Sequence, residues 1–158
     1  MIGLKLYQMI DEIEMPEKKA VQIGEFKIGM IHGHQIIPWG DETALDNVQR
    51  ELGCDILLWG HSHQIEVKAR DGKFFINPGS ISGAFSYNSP DPTPSFVLMV
   101  LQGEEAIVYM YCLNDKKMKF DVNKLEFSKA SGEFKKVEEE EEAEENPEAS
   151  KEENKVEA

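Results

Sequence analysis

The chain has 158 residues and a formal net charge of −13, a length that fits one domain. The stretch Glu138 to Ala158 holds 11 acidic residues and 2 lysines, so −9 of that charge lies there and −4 on the rest. A mildly acidic body argues against nucleic-acid binding through a basic face.

The opening MIGLKLYQMIDEIEM is too short for a membrane span, is interrupted by Asp11, Glu12 and Glu14, and does not read as a signal peptide. No direct membrane insertion is expected. Residues 1–14 form an unplaced segment, 15–130 the domain, and 131–158 an acidic tail. From Glu138 onward the sequence has no aromatic residue, and disorder is expected there because too little apolar surface is available to offset chain entropy.

Ala20–Ile23 and Glu25–Ile31 flank Gly24 and read as a hairpin. HGHQIIPWGD is loop, after which Asp41 caps a helix with Leu45, Val48 and Leu52 on one face and Gly53 as its stop. DILLW, from Asp55 to Trp59, reads as a short buried strand. Gln64–Ala69 and Lys73–Ile76 surround the turn Arg70-Asp71-Gly72. A long loop, Asn77–Pro94, precedes three strand-like runs, Ser95–Leu101, Ala106–Leu113 and Lys116–Phe127. One helix among many strands predicts an α/β layered domain. Cys54 and Cys112, far apart and beside apolar runs, are expected as reduced thiols in a cytosolic protein.

All four histidines fall into two H-x-H pairs, His32/His34 and His61/His63, each at the end of an apolar run beside glycine. The carboxyl ends of strands are where open α/β sheets build ligand sites. Alternation along an extended chain sends both members of a pair to one side. Neutral imidazole suits zinc and similar ions. A lone histidine at a strand end is usually a satisfied polar residue. Two pairs with none elsewhere favour a metal-site ancestry. A hydrolytic two-metal site also needs bridging and terminal carboxylates, and upstream of His32 the only aspartate is Asp11.

The blocks GEFKIGMIHGHQIIPWGD, CDILLWGHSH, KFFINPGSISGA and PSFVLM resemble the small metallophosphoesterase-fold subunits of retromer, a branch of the calcineurin-like metallophosphoesterases. The resemblance runs from about Met15 to Phe127. It implies a layered α/β/β/α sandwich, with His32, His61 and His63 as metal ligands for zinc or manganese, held weakly or vestigially. His34 matches no ligand position and is expected at the rim. The family's N-terminal β-α-β region, with its D-x-H aspartate and bridging ligand, has no counterpart, so an N-terminally truncated domain is expected. The retromer branch also lacks the catalytic histidine of the G-N-H motif. The resemblance therefore implies a scaffold without catalytic residues, in endosome-to-Golgi retrograde transport, cytoplasmic and peripheral on endosomes through its complex. A metal-dependent phosphodiesterase is the alternative.

The same resemblance implies two partner faces. Ile37 matches a contact for the large helical-solenoid subunit of retromer. Leu98, Tyr109 and Tyr111 match an apolar patch that receives Rab-regulatory proteins. Read from the residues alone, Ile36-Ile37-Pro38-Trp39 is an apolar stretch in a loop, and Trp39 is equally suited to plug the core. Tyr109 and Tyr111 share one face of a strand, which either lies open or is covered by a helix. The acidic tail either solubilises the chain or contacts a basic partner.

Overall fold

The structure is a computed structural model that describes residues 16–114 and 116–137. The unplaced segment 1–14 and the run from 138 onward lie outside the described residues.

A five-stranded sheet is built from β1 (Lys18–Ile23), β2 (Phe26–Ile31), β3 (Ile56–Leu58), β4 (Ile65–Arg70) and β5 (Lys73–Pro78), in the order β1-β2-β3-β5-β4. The expected hairpins β1–β2 and β4–β5 are antiparallel, whereas β3 runs parallel to both β2 and β5. Parallel neighbours need a crossover, and α1 (Glu42–Leu52) supplies the one between β2 and β3. Asp41 caps it by accepting from the Ala44 N–H at 2.8 Å, and Gly53 ends it at φ 58°. A second sheet contains β6 (Ser95–Gln102), β7 (Glu105–Asn114), β8 (Lys119–Ser128) and β9 (Phe134–Val137), antiparallel throughout in that order.

Alternation divides the first sheet's side chains between two cores. Phe26, Ile28, Ile56, Phe74 and Ile76 meet Ala106, Val108 and Phe127 of the second sheet. Ile31, Leu57, Trp59 and Phe75 face the helix, where Leu45 is 3% exposed and Val48 and Leu52 pack alongside. Exposed ion pairs, Glu42 with Lys68 and Arg70, also join α1 to β4. Such pairs contribute about 0–1 kcal/mol each, against about 2–5 kcal/mol lost on truncating a buried leucine. Apolar packing therefore holds the helix. Described residues supply the α, β and β layers of the expected sandwich. No helix among them covers the outer face of the second sheet.

One boundary differs from expectation. Phe134–Val137 falls in the segment assigned to the acidic tail, yet it forms β9, paired with β8. The reason is tertiary. Phe134 packs edge-on against Phe127 and Phe74 at ring separations of 5.2 and 5.1 Å, so the domain extends past 130. Cys54 is buried, Cys112 half-buried, and both are free thiols; burial raises the pKa of each.

Candidate functional site

Because β2, β3 and β5 are mutually parallel, their carboxyl ends share one end of the sheet. His32-Gly33-His34 follows β2, Gly60-His61-Ser62-His63 follows β3, and the Pro78-Gly79 turn closes β5. The first two loops touch. The Gly60 N–H donates to the His32 carbonyl at 3.0 Å. Gly33 sits at φ +105°, and a Cβ there would lie 2.6 Å from the Gly60 carbonyl oxygen. Only glycine allows this approach.

His61 and His63 both have positive φ, 72° and 60°, a conformation that costs about 1–3 kcal/mol for a non-glycine residue. Ser62 between them holds it. Ser62 is 4% exposed and accepts at Oγ from Asn77 Nδ2 at 2.8 Å. Asn77, fully buried at 0% exposure, also accepts from the Gly79 N–H at 3.0 Å through Oδ1. The GHSH loop is thus fixed from below by the end of β5. Asn77 was not among the expected site residues. Its only signal in sequence is a buriable polar residue at the end of an apolar strand.

Three rings gather above this support. His32 and His61 lie 5.2 Å apart, and His34 and His61 6.2 Å apart. The Nδ1 atoms of His32 and His34 are 3.0 Å apart, so one donates to the other. His34 is exposed and touches the cluster through His32. His63 turns instead toward the loop after β5, with Nδ1 2.6 Å from the Ala84 carbonyl. A carbonyl only accepts, so Nδ1 of His63 carries the proton and Nε2 offers a lone pair.

His61 Nε2 is buried and has no hydrogen-bond partner. Burial first, then the neighbouring His32, His34 and His63, pull the His61 pKa below its usual value. The ring is thereby favoured in its neutral, ligating form. An orphaned imidazole nitrogen and a second one oriented through its other nitrogen fit the chemistry of zinc binding. Yet no group of three or more His, Cys, Asp or Glu side chains converges on one point among the described residues. The described donors are therefore imidazoles alone, which does not fit a carboxylate-bridged pair of ions.

The expected partner residues separate into two places. At the histidine end, Ile36 is 3% exposed and belongs to the core, whereas Ile37 is 79% exposed. Trp39 takes neither extreme, with its ring edge-on to His61 at 4.5 Å and 41% of its surface open. The loop after β5 adds exposed Ile81, Phe85 and Tyr87. It is tied to this end by the His63–Ala84 contact and by Ser86, whose hydroxyl donates to the His61 carbonyl at 3.4 Å.

Leu98, Tyr109 and Tyr111 lie instead on the outer face of the second sheet. Leu98 is opposite Tyr109, and Tyr111 stacks on Phe96 at 4.6 Å with 3° between rings. Val108, on the other face, is fully buried. Phe120 and Val122, about half exposed, extend the apolar surface. Those two were missed, although the alternation in KFDV places both on one face.

Residues 7–104 match the calcineurin-like phosphoesterase superfamily domain. Vacuolar protein sorting-associated protein 29 of Schizosaccharomyces pombe is 38% identical over 118 residues, 72% of this chain and 62% of that protein. The Vps29 structure from Cryptosporidium parvum is 51% identical, with a TM-score of 0.70 over 72% of this chain and 58% of that one. This chain thus spans less than two thirds of either relative. A Vps29 variant structure from Entamoeba histolytica is 38% identical, with a TM-score of 0.69 over 81% of this chain and 78% of that one. The wild-type Entamoeba protein in complex with Zn2+ aligns at 44% identity and a TM-score of 0.65, over 73% of this chain and 64% of that one. The chain belongs to the calcineurin-like phosphoesterase superfamily and, within it, to the Vps29 family.

Proposed function

We propose that this chain is a non-catalytic scaffold subunit of retromer, acting in endosome-to-Golgi retrograde transport. Its histidine end docks the large helical-solenoid subunit through Ile37. The outer face of the second sheet, with Leu98, Tyr109 and Tyr111, receives Rab-regulatory proteins. The observation that carries the reading is Ile37, with 79% of its surface in solvent on the loop after β2, at the end of the sheet to which the loop carrying the exposed Phe85 and Tyr87 is also tied. Apolar side chains gathered on exposed loops mark interaction surfaces. No helix among the described residues is long and apolar enough to cross a membrane. In the retromer reading the chain is cytoplasmic and reaches endosomes through its partners. Calorimetric titration against the C-terminal half of the large subunit tests this. Binding that Ile37→Asp abolishes supports it, and absence of binding by the folded native chain refutes it.

A second reading, a metal-dependent phosphodiesterase, draws on His61 Nε2, buried without a partner, and on the zinc complex of the Entamoeba relative. Zinc or manganese would be held by His32, His61 and His63. A bound ion would supply Lewis acidity and an activated water. The chain's own part would be to hold His61 neutral and orient His63 through Ala84. The exposed apolar Ile37 is what places the scaffold first. Hydrolysis of an aryl phosphodiester with manganese or zinc, lost in His61→Ala, would reverse that order.

A further inference from the structure

Strand β9 runs antiparallel to β8, with Phe134 opposite Phe127 and Val137 opposite Lys124. At Val137 the chain is therefore heading toward the tip of the β7–β8 hairpin. Beyond Lys124, β8 continues in that direction from Asn123 to Lys119, with no strand on that side among the described residues. At ~3.3 Å per residue this stretch is about 17 Å long, within reach of about five extended residues.

The tip to which this path leads carries three lysines against Asp115 and Asp121, a net charge of +1 over residues 114–121. Lys116, Lys117 and Lys119 are all exposed, beside Met118 and Phe120. Lys117 lies 3.8 Å from Asp121, itself exposed. Lys116 and Lys119 have no ion pair among the described residues. The sequence that follows Val137 has the opposite charge: Glu138 to Glu142, then Glu144 and Glu145.

We propose that the glutamate run 138–145 docks on the lysine tip 116–119 of its own chain. Direction, reach and charge agree on this occupant. A single exposed pair is weak, but tethering through β9 converts the contact into an intramolecular one at high effective concentration. It should also be strongly screened, because the Debye length shrinks from ~30 Å at 0.01 M salt to ~3 Å at 1 M. The contact does not depend on the retromer reading.

The test is a comparison of backbone amide spectra for the full chain and a full-length variant with all seven glutamates of the run changed to glutamine. The expected result is a shift of the Lys116–Phe120 signals between the two at about 0.01 M salt, which vanishes at about 1 M. Signals of the buried core, such as Ile56 and Phe74, should coincide and report an unchanged fold. In a second full-length variant, Lys116→Gln with Lys117→Gln and Lys119→Gln, the tail signals should lose their salt dependence. Identical tip signals in the native and glutamine chains at low salt would overturn the proposal. So would a shift that grows with protein concentration, because the run would then be docking on a second copy.

Discussion

Lys129 Nζ lies 2.8 Å from Asp55 Oδ2, which ties the turn after β8 in the second sheet to the start of β3 in the first. The carboxylate also receives Lys73 Nζ at 2.9 Å and the Lys27 N–H at 3.1 Å. Lys129 in turn donates to the Glu25 carbonyl at 2.6 Å. One 8%-exposed aspartate thus joins β2, β3, β5 and the second sheet, at the end of the first sheet away from the histidines.

Burial is the largest single influence on Asp55 and raises its pKa. Hydrogen bonds from Lys129, Lys73 and the Lys27 backbone together outweigh it and bring the value down from 3.8 to about 2. A lowered folded value means the folded state favours the carboxylate. The stabilisation is present above the unfolded value and is lost as pH falls from about 4 to about 2. The shift corresponds to about 2 kcal/mol. Urea melts of the native chain and Asp55→Asn should differ at neutral pH, and that difference should shrink by about this amount on reaching pH ~2. A constant difference across the range would exclude the linkage.

Asn77 is fully buried and supports the histidine loop through Ser62 Oγ. Asn77→Ala leaves that hydroxyl without its donor and costs about 1–3 kcal/mol. The effect should not stop at stability. With Ser62 released, the positive-φ conformations of His61 and His63 lose their anchor, and the imidazole signals of both should broaden or shift in a spectrum of the variant. Unchanged imidazole signals in a destabilised variant would confine Asn77 to a packing role.

Much of this architecture is legible in sequence because its determinants are local. Asp41 and Gly53 delimit α1, and Gly24 and Asp71-Gly72 turn the hairpins, each through the conformation of one or two residues. Strand β9 was not legible. SGEFKKV is polar and flanked by charge, and only contacts of Phe134 with Phe74 and Phe127 make it a strand. The histidine end was half legible. H-x-H pairs at strand ends predicted a cluster, but its membership depends on nonlocal details. His34 reaches His32 because Gly33 takes φ +105° against Gly60, and His63 turns away because the loop after β5 offers the Ala84 carbonyl. Likewise, neighbouring Ile36 and Ile37 look equivalent in sequence, and only the folded loop sends one into the core and the other to solvent.

The orphaned Nε2 of His61 makes zinc binding a direct test of the cluster. His61→Ala should weaken Zn2+ binding by at least about tenfold, the scale on which even supporting groups act at metal sites. His34→Ala should weaken it less, because His34 contacts the site through His32 Nδ1. Competition of each variant against a chromogenic chelator gives the order. Equal losses for the two would show that His34 is itself a ligand.

Ile37 and Leu98 stand on different surfaces, the histidine-end loop and the outer face of the second sheet, and are 79% and 51% exposed. Neither supports the core, so Ile37→Asp and Leu98→Asp should each change stability by no more than about 0.5 kcal/mol. Their effects on association should be separable. Under the proposed function, Ile37→Asp should remove binding to the large solenoid subunit and leave binding to a Rab-regulatory partner unchanged. Leu98→Asp should do the reverse, because its charge falls beside Tyr109, opposite it in the β6–β7 ladder. Parallel titrations of both variants against both partners check this. If either variant lost both partners while melting at the native temperature, the two faces would be coupled rather than independent. The chain would then transmit binding from one sheet to the other, through the core that Ile56, Phe74 and Val108 share.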